Sequence, residues 1–359
     1  MTRPLPLMAF ATASLTPVAL LLIGLATSST WLWLALLYMA VLTILLDQLI
    51  PLTTGTAEGE EFPAATALLI TIAAAHLAAL PLATWAIAGN SGLSLPERIA
   101  TFLAAGLWFG QVTHPAAHEL IHRPRRGLVA LGVILYTSLL FGQHASSHRL
   151  VHHRHVASRD DPNTARAGES YYRFARRAWA GGFRQGWQAE TDLRARTPRR
   201  LHPYALYLTG ALACLAAAYA LAGPSGVATW TLLALHAQAQ ILLSDYVQHY
   251  GLTRARLPDG RLEPVGPRHS WNTPHWFSSA MLLNAPRHSD HHIHPGRPFP
   301  ALRLPDDAPT LPWPLPLAAT MALAPRLWRR AIAPHLARWQ PPTPRHDTRV
   351  MTRAPDTRA

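Results

Sequence analysis

Six stretches of this chain run apolar for about twenty residues each: 8–26, 31–49, 65–88, 98–117, 205–222 and 226–247. A helix needs about 20 residues to cross the hydrocarbon core of a bilayer. In lipid every backbone N–H and C=O must be paired within its own segment, so such a chain is restricted to a bundle of membrane helices. The first run could instead be a signal peptide, because Ala26-Thr27-Ser28 offers small residues for cleavage. The second run begins four residues later, which favours a transmembrane hairpin. Residues 128–142 are apolar over only about fifteen positions and suit a re-entrant or interfacial helix. The expected fold class is all-α: a polytopic membrane protein of six transmembrane helices with a polar helical cap. The chain is expected to form one domain over 1–340, followed by a disordered tail at 341–359.

Charge orients these spans. All 32 basic residues are Arg, net charge is +13, and charged residues make up only 14% of the chain. The Arg residues sit in loops between apolar runs, so they read as orientation charge, and no nucleic-acid partner is expected. With Arg3 in the cytoplasm and 128–142 not crossing, the loop 123–203 and the chain after span six are both cytoplasmic. That loop carries about fifteen Arg, as the positive-inside bias requires. The loop 51–64 departs from the bias, being acidic at Glu58, Glu60 and Glu61. A single cysteine, Cys214, excludes an intrachain disulfide framework and any CxxC metal site. Electrons, if the chemistry needs them, must come from a separate partner.

Histidine is the second constraint. There are 20, and nine fall into four groups that this topology brings to one membrane face: His118 and His122; His148, His152 and His153; His249; and His288, His291 and His292. On a helix the last three share an arc of about 100°. Spacing of i, i+4 stacks two imidazoles over one turn, which suits one metal or two adjacent ones, whereas His152 and His153 point about 100° apart and can serve different ions. Nine imidazoles exceed the four that one zinc takes, so two ions are expected. Imidazole suits Fe, Cu, Zn and Ni alike. His114, His144, His269, His275 and His294 read as bystanders.

At His118-Glu-Leu-Ile-His122-Arg, His148-x-x-x-His152-His153, His249-Tyr-Gly-Leu252 and Arg287-His-Ser-Asp-His-His292 the chain resembles the integral-membrane alkane 1-monooxygenases, with xylene monooxygenases and membrane fatty-acid desaturases more remote. His269-Ser-Trp-Asn272 and Leu327-Trp-Arg-Arg330 match as well, and the resemblance runs from about residue 100 to 340. It departs from the family pattern at Arg123, Ser147, Asp245, Gln248 and Ala285-Pro286, but no ligand histidine is lost.

The resemblance implies two non-haem Fe ions held by His118, His122, His148, His152, His153, His249, His288, His291 and His292. Carboxylates should orient the rings, and Glu119, Asp245 and Asp290 are expected in that role, with Asp160 and Asp161 as further choices. The implied reaction is O2-dependent terminal hydroxylation of an alkyl chain entering from the bilayer. It would use a rubredoxin or ferredoxin and its NAD(P)H reductase, and the metal site would face the cytoplasm of a bacterial inner membrane. A xylene-type methyl monooxygenase, a lipid desaturase or hydroxylase, and more remotely a histidine-rich metal transporter are the alternatives.

Overall fold

The structure is a computed structural model and describes residues 6–27, 29–50, 63–89, 91–195 and 201–339. The acidic positions Glu58, Glu60 and Glu61 and the expected tail 341–359 lie outside the described residues. Among those described, the regular elements are all helices, with two isolated bridges, Arg256–Leu262 and Asn272–Thr310.

Four helices are long and apolar enough to cross a membrane: Leu7–Ala26 (α1), Thr30–Leu49, Ala64–Ala88 and Pro203–Gln248. The second comprises α2 (Ser29–Leu37), a π-helical turn (Tyr38–Leu42) and α3 (Thr43–Leu49); the third lies in α4 (Pro63–Ala88). The fourth, α11, is broken at Ala222 and Gly223, ahead of Pro224, where the chain leaves helical geometry. Gly223 has φ 59°, a conformation that glycine adopts without strain. A side chain at Gly226 would meet the carbonyl of Ala218 at 2.1 Å, so the chain folds back there, and α11 is two antiparallel arms around the expected turn.

The expected span 98–117 is helical but less apolar. It lies in α5 (Leu95–Trp108), a π turn (Phe109–Thr113) and α6 (His114–Ile121). Glu97, Arg98, Gln111, His114 and His118 lower its hydropathy. Two glycines let it lie close against α11: a Cβ at Gly106 would strike His236, and one at Gly110 would strike Gln240. The helix α7 (Arg126–Ser138) spans about 20 Å at 1.5 Å per residue, shorter than the ~30 Å hydrocarbon core. It packs against α6 so tightly that a Cβ at Gly132 would lie 2.8 Å from the Ala117 carbonyl.

Polar groups within the apolar helices point inward to partners. Buried His76 joins three helices, with ring nitrogens 3.2 Å from Thr113 Oγ1 and 2.8 Å from Ser138 Oγ. Trp108 donates its indole N–H to the Ser14 carbonyl at 2.8 Å. Asp47, at the end of α3, is 2% exposed and accepts backbone N–H bonds from Phe277 (2.7 Å) and Ser278 (3.0 Å) at the start of α12 (Trp276–Met281). It thereby ties a membrane helix to the polar C-terminal third.

Removing that carboxylate leaves two buried N–H groups unpaired, each costing about 1–3 kcal/mol. Asp47→Ala should lower the thermal unfolding midpoint in detergent by several degrees, and Asp47→Asn, which keeps one acceptor, by less.

Candidate metal centre

Four elements carry the nine histidines to one place. His118 lies on α6 and His122 caps its C-terminus. The second box begins after α8 (His144–Ser147), runs through a π turn (His148–His152) and ends in α9 (His153–His155). On a regular α-helix His153 would stand about 140° around the axis from His148. The i→i+5 repeat of the π turn brings His153 back to the His148 side, so their Nε2 atoms lie 2.9 Å apart. His249 ends α11, and His288, His291 and His292 lie on the short helix α13 (His288–Ile293).

The local sequence explains why these elements stay put. Gly251, two residues after His249, has φ 73°, and any larger residue would strike Leu336. Tyr250 accepts the Gly168 N–H at 2.9 Å, and Trp271 donates its indole N–H to the Tyr250 carbonyl at 2.9 Å. Trp328 packs edge-on against the Tyr250 ring. Asn272 fastens α13: its Oδ1 accepts the Ser289 N–H at 3.0 Å and its Nδ2 donates to Ser289 Oγ at 2.8 Å.

The nine imidazoles form two groups, each able to hold a metal ion. One is His118, His122, His148, His153 and His291; the other is His152, His249, His288 and His292. Within each group the ligand atoms lie within 4.8 Å of one another. The split runs across neighbours, separating His152 from His153 and His291 from His292. In the first group His148 Nε2 lies 2.7 Å from His118 Nε2, and His291 Nε2 lies 3.2 Å from His153 Nε2. In the second, His288 Nε2 lies 2.9 Å from His249 Nε2 and 3.1 Å from His292 Nε2.

A neutral imidazole carries one N–H and one lone pair, so a ring nitrogen facing two others cannot satisfy both contacts with one proton. His122 Nε2 and His152 Nε2 are buried with no hydrogen-bond partner at all. Burial, reinforced by the neighbouring imidazoles, holds His148, His153, His288, His291 and His292 well below the ordinary histidine pKa. They are therefore held uncharged, and neutral imidazole nitrogens facing one another are the donor set that a borderline divalent metal takes. The residues present fit metal ions.

The carboxylates are arranged differently from expectation. Asp161 reaches the site directly: its Oδ2 lies 2.9 Å from His152 Nδ1. Burial works against a charged His152, but Asp161 outweighs it and raises the imidazole pKa. Asp161 also accepts from the Asn163 N–H (2.9 Å) and Thr164 Oγ1 (2.7 Å), so it builds the loop and orients the ring together. Asp245 acts one step further out, accepting from Asn163 Nδ2 at 2.6 Å.

Glu119 does not touch a ring. It pairs with Arg123 at 2.8 Å and accepts the Phe299 N–H at 3.1 Å, because it faces the C-terminal segment rather than the histidines. Asp290 likewise holds Arg297, the Arg303 N–H (2.8 Å) and His294 Nδ1 (3.1 Å). Asp160 is exposed and 3.7 Å from Arg256.

Asn163 and Thr164, just after Asp161-Pro162, complete this loop and carry no signature in the histidine boxes. Ser147 leaves no carboxylate next to His148 in sequence; on that side of the box Glu190 of α10 (Tyr171–Ala195) accepts from Ser146 Oγ. Gln248 donates to the Ala285 carbonyl at 3.1 Å, so two positions that depart from the family pattern contact each other. Of the bystander histidines, His114 pairs with Tyr136 (3.0 Å), His269 with Glu263 (3.1 Å) and His294 with Asp290. His144 stacks on Phe141. His275 lies at the N-terminus of α12.

A cavity of about 340 Å³ lies between α5–α6, the second arm of α11 and α14 (Leu315–Ala322). Leu107, Leu243, Leu282 and Leu315 give it an apolar wall, and it reaches one histidine of each group, His118 and His288.

The fatty acid desaturase family model matches residues 96–312, more than half of the chain. The chain is 31% identical over 268 residues to an alkane 1-monooxygenase of Pseudomonas putida and 33% identical over 275 residues to alkane 1-monooxygenase 1 of Alcanivorax borkumensis; each match covers 74% of this chain and 66% of the relative. It is 25% identical over 259 residues to the xylene/toluene monooxygenase hydroxylase component of Pseudomonas putida, covering 70% of this chain and 68% of that protein. The chain thus spans about 66% of the length of these alkane 1-monooxygenases. With the matched segment containing all nine clustered histidines, this chain belongs to the fatty acid desaturase family of membrane proteins and is similar within it to the alkane 1-monooxygenases.

Proposed function

We propose that this protein is an O2-dependent hydroxylase of alkyl chains, with one Fe ion in each histidine group. The observation that carries this reading is the apolar cavity that ends on both groups at once, at His118 and His288. The names of the relatives point the same way. The overall balance is R–CH3 + O2 + 2 electrons + 2 H+ giving R–CH2OH + H2O. When bound, the metal pair supplies the reduction of O2 and the attack on the C–H bond. The chain's own residues do the rest. The nine imidazoles give nitrogen donors, Asp161 fixes the orientation of His152, and the leucine wall holds the alkyl chain away from water with one end against the histidines.

Six spans and a cytoplasmic metal side are part of the same reading. His122 and His148 have ring centroids 5.3 Å apart, so the segment between them returns to the face it left, as expected if 128–142 does not cross. The Arg-rich loop then lies beside the site on the inner face of a bacterial membrane, where it suits an acidic electron carrier such as rubredoxin or ferredoxin. One domain over residues 1–340 accommodates all four ligand elements.

Purified protein with NADH, a reductase and a carrier should convert n-octane to 1-octanol, with no product under argon. Octene in place of alcohol would sink the hydroxylase reading in favour of a desaturase, and oxidation of only aromatic methyl groups would favour a xylene-type enzyme. His288→Ala should abolish turnover and lower bound iron. Asp161→Asn should bind iron about 10–100-fold more weakly while remaining folded, measured by chelator competition.

A further inference from the structure

The cavity that ends on the histidines is not apolar throughout. Gln111 and Gln240 also line it, facing each other from two membrane helices. Gln111 Nε2 lies 3.4 Å from Gln240 Oε1, a long contact, and Gln111 Oε1 is buried with no hydrogen-bond partner. A carboxamide left unpaired in an apolar slab is unfavourable, and buried polar groups normally have partners. The backbone makes room for this pair: a Cβ at Gly110 would lie 2.4 Å from Gln240 Cβ, so only glycine lets the Gln240 side chain cross there towards Gln111.

Gln111 precedes His118 by seven residues and Gln240 precedes Gln248 by eight, so at 1.5 Å per residue the pair sits about 10 Å from the histidine end, roughly the length of an extended eight-carbon chain. The wall between carries Leu243, Leu282 and Ile44, with His114, Ser244, Asp245 and Gln248 gathered towards the histidine end. Among the lining residues there is no Arg, so nothing would balance a carboxylate at the glutamine end.

We propose that the glutamine pair binds a neutral hydrogen-bonding group, such as a hydroxyl, at the end of a medium-length alkyl chain remote from the histidines. The preferred substrate is then a chain of about eight carbons with one polar end, held with its methyl end at the metal groups. This specificity rests on the hydroxylase reading, but the binding preference does not require turnover.

The test uses the iron-loaded protein in lipid nanodiscs. Displacement of a fluorescent hydrocarbon probe is compared for n-octane, 1-octanol and octanoate at equal mole fraction in the bilayer, and products are analysed in parallel. Wild type should bind 1-octanol about fivefold more tightly than n-octane, as one neutral hydrogen bond allows, with no such gain for octanoate. Gln111→Leu should erase the advantage of 1-octanol over n-octane; Gln111→Met, closer in shape, repeats the test if the leucine variant does not fold. The product from 1-octanol should be 1,8-octanediol. Equal binding of octane and octanol by wild type, or an equal loss for both in the variants, would overturn the proposal, marking the pair as a clasp between helices. Absence of any O2-dependent product alongside the octanol preference would instead overturn the hydroxylase reading and leave the binding site standing.

Discussion

Nine imidazoles packed into one buried region are the constraint on which the rest of the structure depends. Their ring nitrogens face one another at 2.7–3.2 Å, a spacing at which lone pairs repel unless a proton or a cation lies between them. Such a centre must be held by elements that cannot spread apart. The chain meets this by drawing ligands from four distant segments and fixing each by its own contacts. Asn272 holds α13, Gly251 turns the chain tightly after His249, and the Asp161 loop holds His152. Asp47 then ties the C-terminal third to the membrane helices.

Much of this was legible in the residues, and the limits of that legibility have physical causes. The nine histidines could be chosen because they fall into four tight groups in the sequence, and the structure brings all four together. How they divide between two groups could not be read from i, i+4 spacing. That rule holds for His118 with His122 and for His288 with His292, and it fails for His148 with His152. The failure arises from the π turn, which the sequence does not announce and which aligns His148 with His153 instead. The expectation that His152 and His153 serve different ions agrees with their placement in different groups.

The carboxylates show a second limit. Glu119 and Asp290 stand beside clustered histidines in sequence, yet adjacent residues on a helix point about 100° apart, and both turn away to pair with arginines. Asp161, eight or nine residues from its box, reaches the ring because its loop folds back. Span 98–117 shows a third limit. Gln111, His114 and His118 lower its hydropathy but face inward to the cavity, and Arg98 donates to the Ile87 and Gly89 carbonyls at the end of α4, so composition understates the helix.

The account turns on there being two metal positions, one within each histidine group. Anomalous X-ray diffraction at the iron edge from crystals of the iron-loaded protein tests this directly. The account predicts two separate peaks, one enclosed by His118, His122, His148, His153 and His291 and the other by His152, His249, His288 and His292. A single peak shared by all nine residues, or iron bound only outside both groups, would contradict it.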